Sequence, residues 1–274
     1  MRHVGLKARM AVVGSILFGF YAVAAVVVMG MFGTGVFPLV IVGSVVFVGV
    51  QYKLGKWMAL RSVGADDLPE DRYPEIHRRV ESLSKDMGID KPRLMIARMG
   101  VPNAFAVGRK GAGTVVVSQE LLRQLDPDEV EGVLAHELAH IRNRDVVMMV
   151  LGQGVASIVA IVAQWAVLLT GDNDIADFFL AIVVGQITQM LVMLFVFAIS
   201  RYREYVADAD AAEEIGSGEP LASALEKISN TARHRDDSVD EQVNALCIFG
   251  DGDGFASLLS THPPVEKRIE RLRG

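Results

Sequence analysis

The chain has 274 residues, 51% of them hydrophobic, with 33 acidic residues against 27 Lys and Arg and one cysteine, Cys247. A net charge of −6 excludes a general nucleic-acid binder. A single cysteine excludes an intramolecular disulfide, which fits a reducing compartment and a buried structural role for Cys247. The apolar content is more than one soluble core requires, and it comes in blocks. Met10 to Val50 contains no charged residue. Gly33-Thr34-Gly35, with Pro38 just after, breaks this run into two spans near residues 10–31 and 36–52. The first run continues into the second without a small-residue cleavage site, which argues against a signal peptide.

Polar sequence follows. Pro74–Met87 reads as an amphipathic helix, with Ile76, Val80, Leu83 and Met87 at helical spacing, and Gly88 ends it. Short β-like runs cover Arg93–Met99, Ala104–Gly108 and Thr114–Ser118, with Gly111 and Gly113 supplying a turn between the last two. Ala104–Gly108 has two readings: a core strand, or a strand that offers its main chain to an extended substrate. Gln119–Leu125 is a short helix. Asp126-Pro127-Asp128-Glu129 then starts another: Asp126 caps, Pro127 suits the first helical position, and Glu129 completes a capping box. Leu125 and Val130 are placed for a hydrophobic staple.

That helix carries His136-Glu137-Leu138-Ala139-His140, an HExxH pattern. Positions four apart share a helix face, so His136 and His140 can hold one metal ion between them. Glu137 lies about 100° round the helix from His136 and can reach a water on that metal. Two imidazoles and a carboxylate base are the groups that zinc-dependent peptide hydrolysis requires. The expected cofactor is one zinc ion per chain.

Two more apolar runs follow, Val146–Thr170 and Phe178–Ile199, each long enough to cross a bilayer core of ~30 Å. Gln153, Gln164, Gln186 and Gln189 within them are expected to hydrogen-bond between helices. After the fourth run, Glu204 and Asp208 share a helix face. Glu204 can complete a His₂Glu site, and Asp208 can accept a hydrogen bond from the free ring nitrogen of a ligand histidine. His140 precedes the third span and Glu204 follows the fourth, so two crossings return the chain to its starting side. One crossing or three would separate the ligands by the whole bilayer.

Arg2, Lys7 and Arg9 precede the first span, and Lys53, Lys56 and Arg61 follow the second. Arg142 and Arg144 precede the third, and Arg201 and Arg203 follow the fourth; the opposite loops are uncharged or acidic. The positive-inside rule places both termini and the polar segments in the cytoplasm. The expected fold class is α+β: a mostly helical integral membrane protein with four transmembrane helices and a cytoplasmic metalloprotease domain carrying a small β-sheet. Its parts are an N-terminal transmembrane hairpin (1–52), the first catalytic part (53–145), a second hairpin (146–200) and the second catalytic part (201–274). His77 and His234 read as surface histidines. His234–Glu241 is polar and charged and reads as a loop, with a lid over the cleft as the second reading.

Together, the four spans, Pro102–Ala106, Leu125-Asp126-Pro127, His136–His140, Ser200–Asp208 and Thr261–Pro264 followed by Arg268 resemble the HtpX-type membrane zinc metalloproteases, relatives of the CAAX prenyl proteases. The resemblance covers nearly the whole chain. It implies a gluzincin-like catalytic domain, a zinc ion on His136, His140 and Glu204, Glu137 as general base, and Asp208 in support. It also implies endopeptidase activity on protein substrates, membrane proteins in particular, in quality control and stress response. His262 and Arg268 match a pair near the site in that family. His262 is either a hydrogen-bond donor to the transition state or structural, and Arg268 either acts there or pairs with a carboxylate of the helix bearing Glu204. Two rivals stand beside this reading. An intramembrane protease would place the motif within a span, whereas Glu129, Glu131, Arg142, Arg144 and Asp145 flank it here. A non-catalytic scaffold with a structural metal would have no use for Glu137.

Overall fold

The computed structural model describes residues 4–172, 174–233 and 262–274. The expectations for Cys247, His234 and the His234–Glu241 loop lie outside them. Contacts divide the chain into two units, Met1–Leu54 with Met148–Ser200, and Gly55–Val147 with Arg201–Gly274.

The first unit is helical. α1 (Val4–Phe32) and α2 (Phe37–Ser62) are joined through a 3₁₀ turn at Thr34–Val36. Gly33 enters that turn at φ 84°, a conformation that costs glycine little. α6 (Asp145–Thr170) and α7 (Ile175–Ile215) carry the later apolar runs. All four helices are long and apolar enough to cross a membrane. Small residues let them approach closely: a Cβ at Gly152 would lie 2.8 Å from Val196, and one at Gly154 would lie 2.7 Å from Val48. Gln51 donates to Ser157 Oγ at 3.4 Å, tying α2 to α6. The expected glutamine network differs from this: Gln153 and Gln186 turn outward, and Gln164 packs over Gly185.

Two helices outrun their apolar segments. α2 continues to Ser62, where Ala59 and Leu60 pack against the core of the second unit. α7 is 41 residues long and carries Ser200–Asp208 beyond its apolar part.

The second unit is built on a mixed sheet of β1 (Asp66–Asp67), β2 (Arg93–Ala97), β3 (Ala104–Val107) and β4 (Thr114–Ser118), in the order β1-β2-β4-β3. β2 pairs parallel with β4, and β3 pairs antiparallel with β4. β2 stops at Ala97, two residues short of the expected end. Thr-Val-Val-Val-Ser of β4 is buried throughout, as a strand covered on both faces must be. Period-2 alternation sorts the side chains. Leu94, Ile96, Val115 and Val117 face the main core, while Met95, Ala97, Phe105, Val107 and Val116 face the other. Ser118 binds the turns together: its Oγ accepts from Asn103 N at 2.9 Å and from Leu121 N at 3.0 Å.

The main core is closed by α3 (Pro74–Asp86), α4 (Gln119–Gln124), α5 (Pro127–Asn143), α8 (Glu219–Arg233) and α9 (Val265–Arg273). His77, read from sequence as a surface histidine, is half-buried, and its Nε2 lies 2.9 Å from the Leu68 carbonyl. α5 lies so close to α8 that a Cβ at Gly132 would meet Leu221 N at 2.8 Å.

Glu129 fastens the start of α5. One carboxylate oxygen accepts from Asp126 N at 2.8 Å and from Lys227 Nζ at 2.8 Å, and the other accepts from the Ser223 hydroxyl at 2.6 Å. Burial pushes the Glu129 pKa up, but the Lys227, Ser223 and Asp126 donors outweigh it and hold the carboxyl below the usual glutamate range. The stabilisation is therefore complete above the ordinary glutamate value of about 4.3 and is lost as pH falls through the lowered one. Glu129→Ala is expected to destabilise the chain by about 2 kcal/mol at neutral pH. Thermal unfolding in detergent checks this, and the deficit should shrink in strong acid. An equal deficit at both pH values would assign the effect to packing alone.

Candidate metal centre and active site

α5 presents His136 and His140 one turn apart, with ring centroids 4.6 Å apart and planes crossed at 88°. α7 presents Glu204 and Asp208. α9 presents Arg268, and His262 lies just ahead of α9. His136, Glu137, Glu204, Asp208 and Arg268 are all buried.

Three donor atoms converge. His136 Nε2 and His140 Nε2 are 3.1 Å apart, and they lie 3.6 and 3.3 Å from the two Glu204 oxygens. A tetrahedral ion with bonds of roughly 2.0–2.2 Å sets its ligand atoms about 3.3 Å apart. The spacing is therefore that of a metal site, and two imidazole nitrogens with one carboxylate oxygen suit zinc.

The other ring nitrogens are held by carboxylates. His136 Nδ1 lies 3.0 Å from Asp208 Oδ1, and His140 Nδ1 lies 2.7 Å from Asp145 Oδ2. His140 Nδ1–H donates to Asp145, and Asp208 lies beside His136 Nδ1, so that each Nε2 is turned toward the shared point. Burial opposes a charge on either ring. For His140 the Glu204 and Asp145 carboxylates outweigh burial and raise its pKa well above the usual value, and for His136 Asp208 and Glu204 do the same more weakly. The pocket thus favours a positive charge between these groups, from a proton or from a metal.

Arg268 is 0% exposed and forks onto Asp208, with Nε 2.9 Å from Oδ2 and Nη2 2.7 Å from Oδ1. Its Nη1 lies 3.2 Å from Glu204 Oε2, and its Nη2 lies 3.3 Å from His136 Nε2. Burial lowers the Arg268 pKa, but Asp208 and Glu204 outweigh it and raise the value, with Glu137 adding to the effect. His262 Nδ1 lies 3.1 Å from Glu204 Oε2. Two residues at the centre were missed from sequence. Asp145 figured there only as a charge marking the end of the motif helix, and Arg203 only as a basic flank of a span. The signal that could have found Asp145 is its place just past the motif helix, five residues after His140.

Four membrane-length apolar helices, a small mixed sheet and a His–His–Glu cluster over an HExxH helix define a membrane metalloprotease. The profile of peptidase family M48 matches residues 70–274, and the chain belongs to that family. A protease HtpX homologue of Halobacterium salinarum is 63% identical over 96% of this chain and 100% of its own length. One from Pyrococcus abyssi is 39% identical over 82% of this chain and 81% of its own. The crystal structure of S. mikatae Ste24p superposes with a TM-score of 0.61 at 20% identity, over 97% of this chain and 63% of that one, a likeness of fold alone.

Proposed function

We propose that this chain is a zinc-dependent endopeptidase that cleaves misfolded or damaged membrane proteins from the cytoplasmic side of a cell membrane. The observation that carries the reading is the convergence of two imidazole nitrogens and a carboxylate oxygen within 4.8 Å. In this reading His136, His140 and Glu204 hold one zinc ion. Zinc, when bound, supplies a Lewis acid and lowers the pKa of a bound water to about 7. Glu137 takes the water's proton at its carboxylate and passes it to the leaving amine. Asp208 keeps His136 in the tautomer that leaves Nε2 free. In the same reading His262, whose Nδ1 lies 3.1 Å from Glu204 Oε2, donates a hydrogen bond to charge developing on the substrate carbonyl oxygen. Arg268 balances Asp208 and Glu204 when the pocket is desolvated.

β3 is an edge strand of the sheet, beside α5, and its main chain suits pairing with an extended segment of substrate. The basic residues flanking all four spans support a cytoplasmic active site.

The test uses the full chain reconstituted in sealed vesicles with a membrane protein whose unfolded segment faces one known side. Cleavage is expected only when that segment shares a side with the chain's polar parts. It should stop on chelation and return with zinc. Cleavage of segments on either side would overturn the sidedness, and full activity in the presence of a strong chelator would overturn the zinc reading.

A further inference from the structure

His140 is held by a second assembly, separate from the Asp208–Arg268 pair behind His136. Arg144, at φ 59°, is the one non-glycine residue with positive φ among the described residues, and it separates α5 from α6. The break brings Asp145, the first residue of α6, back to the last turn of α5, where its Oδ2 reaches His140 Nδ1 at 2.7 Å. The other oxygen of Asp145 pairs with Nη2 of Arg203, and Arg203 Nη1 donates to the Asp145 carbonyl at 3.1 Å. The side chains of Arg203 and Asp145 are 3% and 9% exposed. Arg203 immediately precedes Glu204 on α7. One guanidinium therefore grips both the backbone and the side chain of Asp145 from the helix that brings the third donor.

We propose that Asp145 and Arg203 are positioning residues of the metal centre. Asp145 fixes His140 with Nδ1–H donated and Nε2 free, and Arg203 fixes Asp145 against Glu204. The donors of α5 and α7 thereby keep the spacing that a tetrahedral ion needs. A buried ion pair is a poor device for stability alone, since apolar residues would serve as well. Its worth here lies in geometry, which a fork-shaped guanidinium supplies and an ammonium does not. The inference rests on the zinc reading above.

Zinc itself is the probe, titrated against a chromophoric chelator into the metal-stripped full chain in detergent. Asp145→Asn keeps the shape but loses the charge, and is expected to raise the zinc Kd roughly 10- to 100-fold. Arg203→Met is expected to raise it about tenfold, with Arg203→Lys giving little rescue. Because Arg203 acts through Asp145, adding Arg203→Met to Asp145→Asn should change the Kd by less than about twofold. A wild-type Kd in both single variants overturns the proposal, as does full additivity in the double variant. If Asp145→Asn does not fold, Arg203→Lys carries the test alone, and an unchanged Kd there overturns it. A wild-type chain that binds no zinc fails before any substitution is made, so failure of the metal reading is distinct from failure of this inference.

Discussion

Glu137→Gln is expected to leave zinc bound and to slow peptide hydrolysis by about 10²- to 10⁴-fold. Glu137 stands next to His136 on α5 and is buried at 3% exposure, so its carboxylate works in a site from which bulk water is largely withdrawn. The amide is nearly isosteric and still hydrogen-bonds, but it cannot take a proton from water or return one to the amine. The three donor atoms come from other side chains, so metal stoichiometry should not change. The measurement is paired: zinc content by atomic absorption, and turnover of an unfolded protein by the purified chain. Lost activity with zinc retained separates a base from a ligand. Full activity in the variant would remove Glu137 from the reaction, and lost zinc would make it a structural neighbour of the site.

The parts legible in the sequence are those that declare themselves over short range. The four apolar helices, the β3–β4 hairpin and the start of α5 each depend on neighbours within a few residues. Asp126, Pro127 and Glu129 mark the beginning of α5 because capping is a local reaction of side chain with backbone. The parallel pairing of β2 with β4 was not legible, since β3 intervenes in the chain and nothing in β2 names its partner. The amphipathic pattern of α8, with Leu221, Leu225 and Ile228 on one face, was present in the sequence but carries no motif that draws attention to it. Asp145 and Arg203 were hidden for a different reason. Their meeting depends on a left-handed residue at Arg144, where no glycine or asparagine signals the turn, and on a helix that returns 58 residues later.

Arg268→Met is expected to destabilise the metal-free chain by about 3–5 kcal/mol, the cost of leaving buried charges without their partner. Arg268 is the largest of the fully buried side chains in the described residues, and it balances two carboxylates at once, Asp208 through two hydrogen bonds and Glu204 through Nη1. Methionine replaces the volume but not the charge. Asp208 then keeps only a histidine beside it, and Glu204 the imidazoles and the more distant Arg203, to offset them in a region of low dielectric. Zinc should reverse part of the loss, because a divalent ion on His136, His140 and Glu204 returns positive charge to the same spot. Binding to the folded state adds about 2.7 kcal/mol at a hundred times the Kd to wild type and variant alike, so the deficit narrows only through the charge that zinc restores. The signature is therefore a deficit that is large after chelation and smaller with excess zinc. Arg268→Lys should fall between, since an ammonium restores the charge but cannot fork onto both Asp208 oxygens. Thermal unfolding of the full chain in detergent, with and without zinc, reads all three variants. A deficit for Arg268→Met below about 1 kcal/mol, or one indifferent to zinc, would mean that Arg268 serves packing rather than the charge balance of the metal centre.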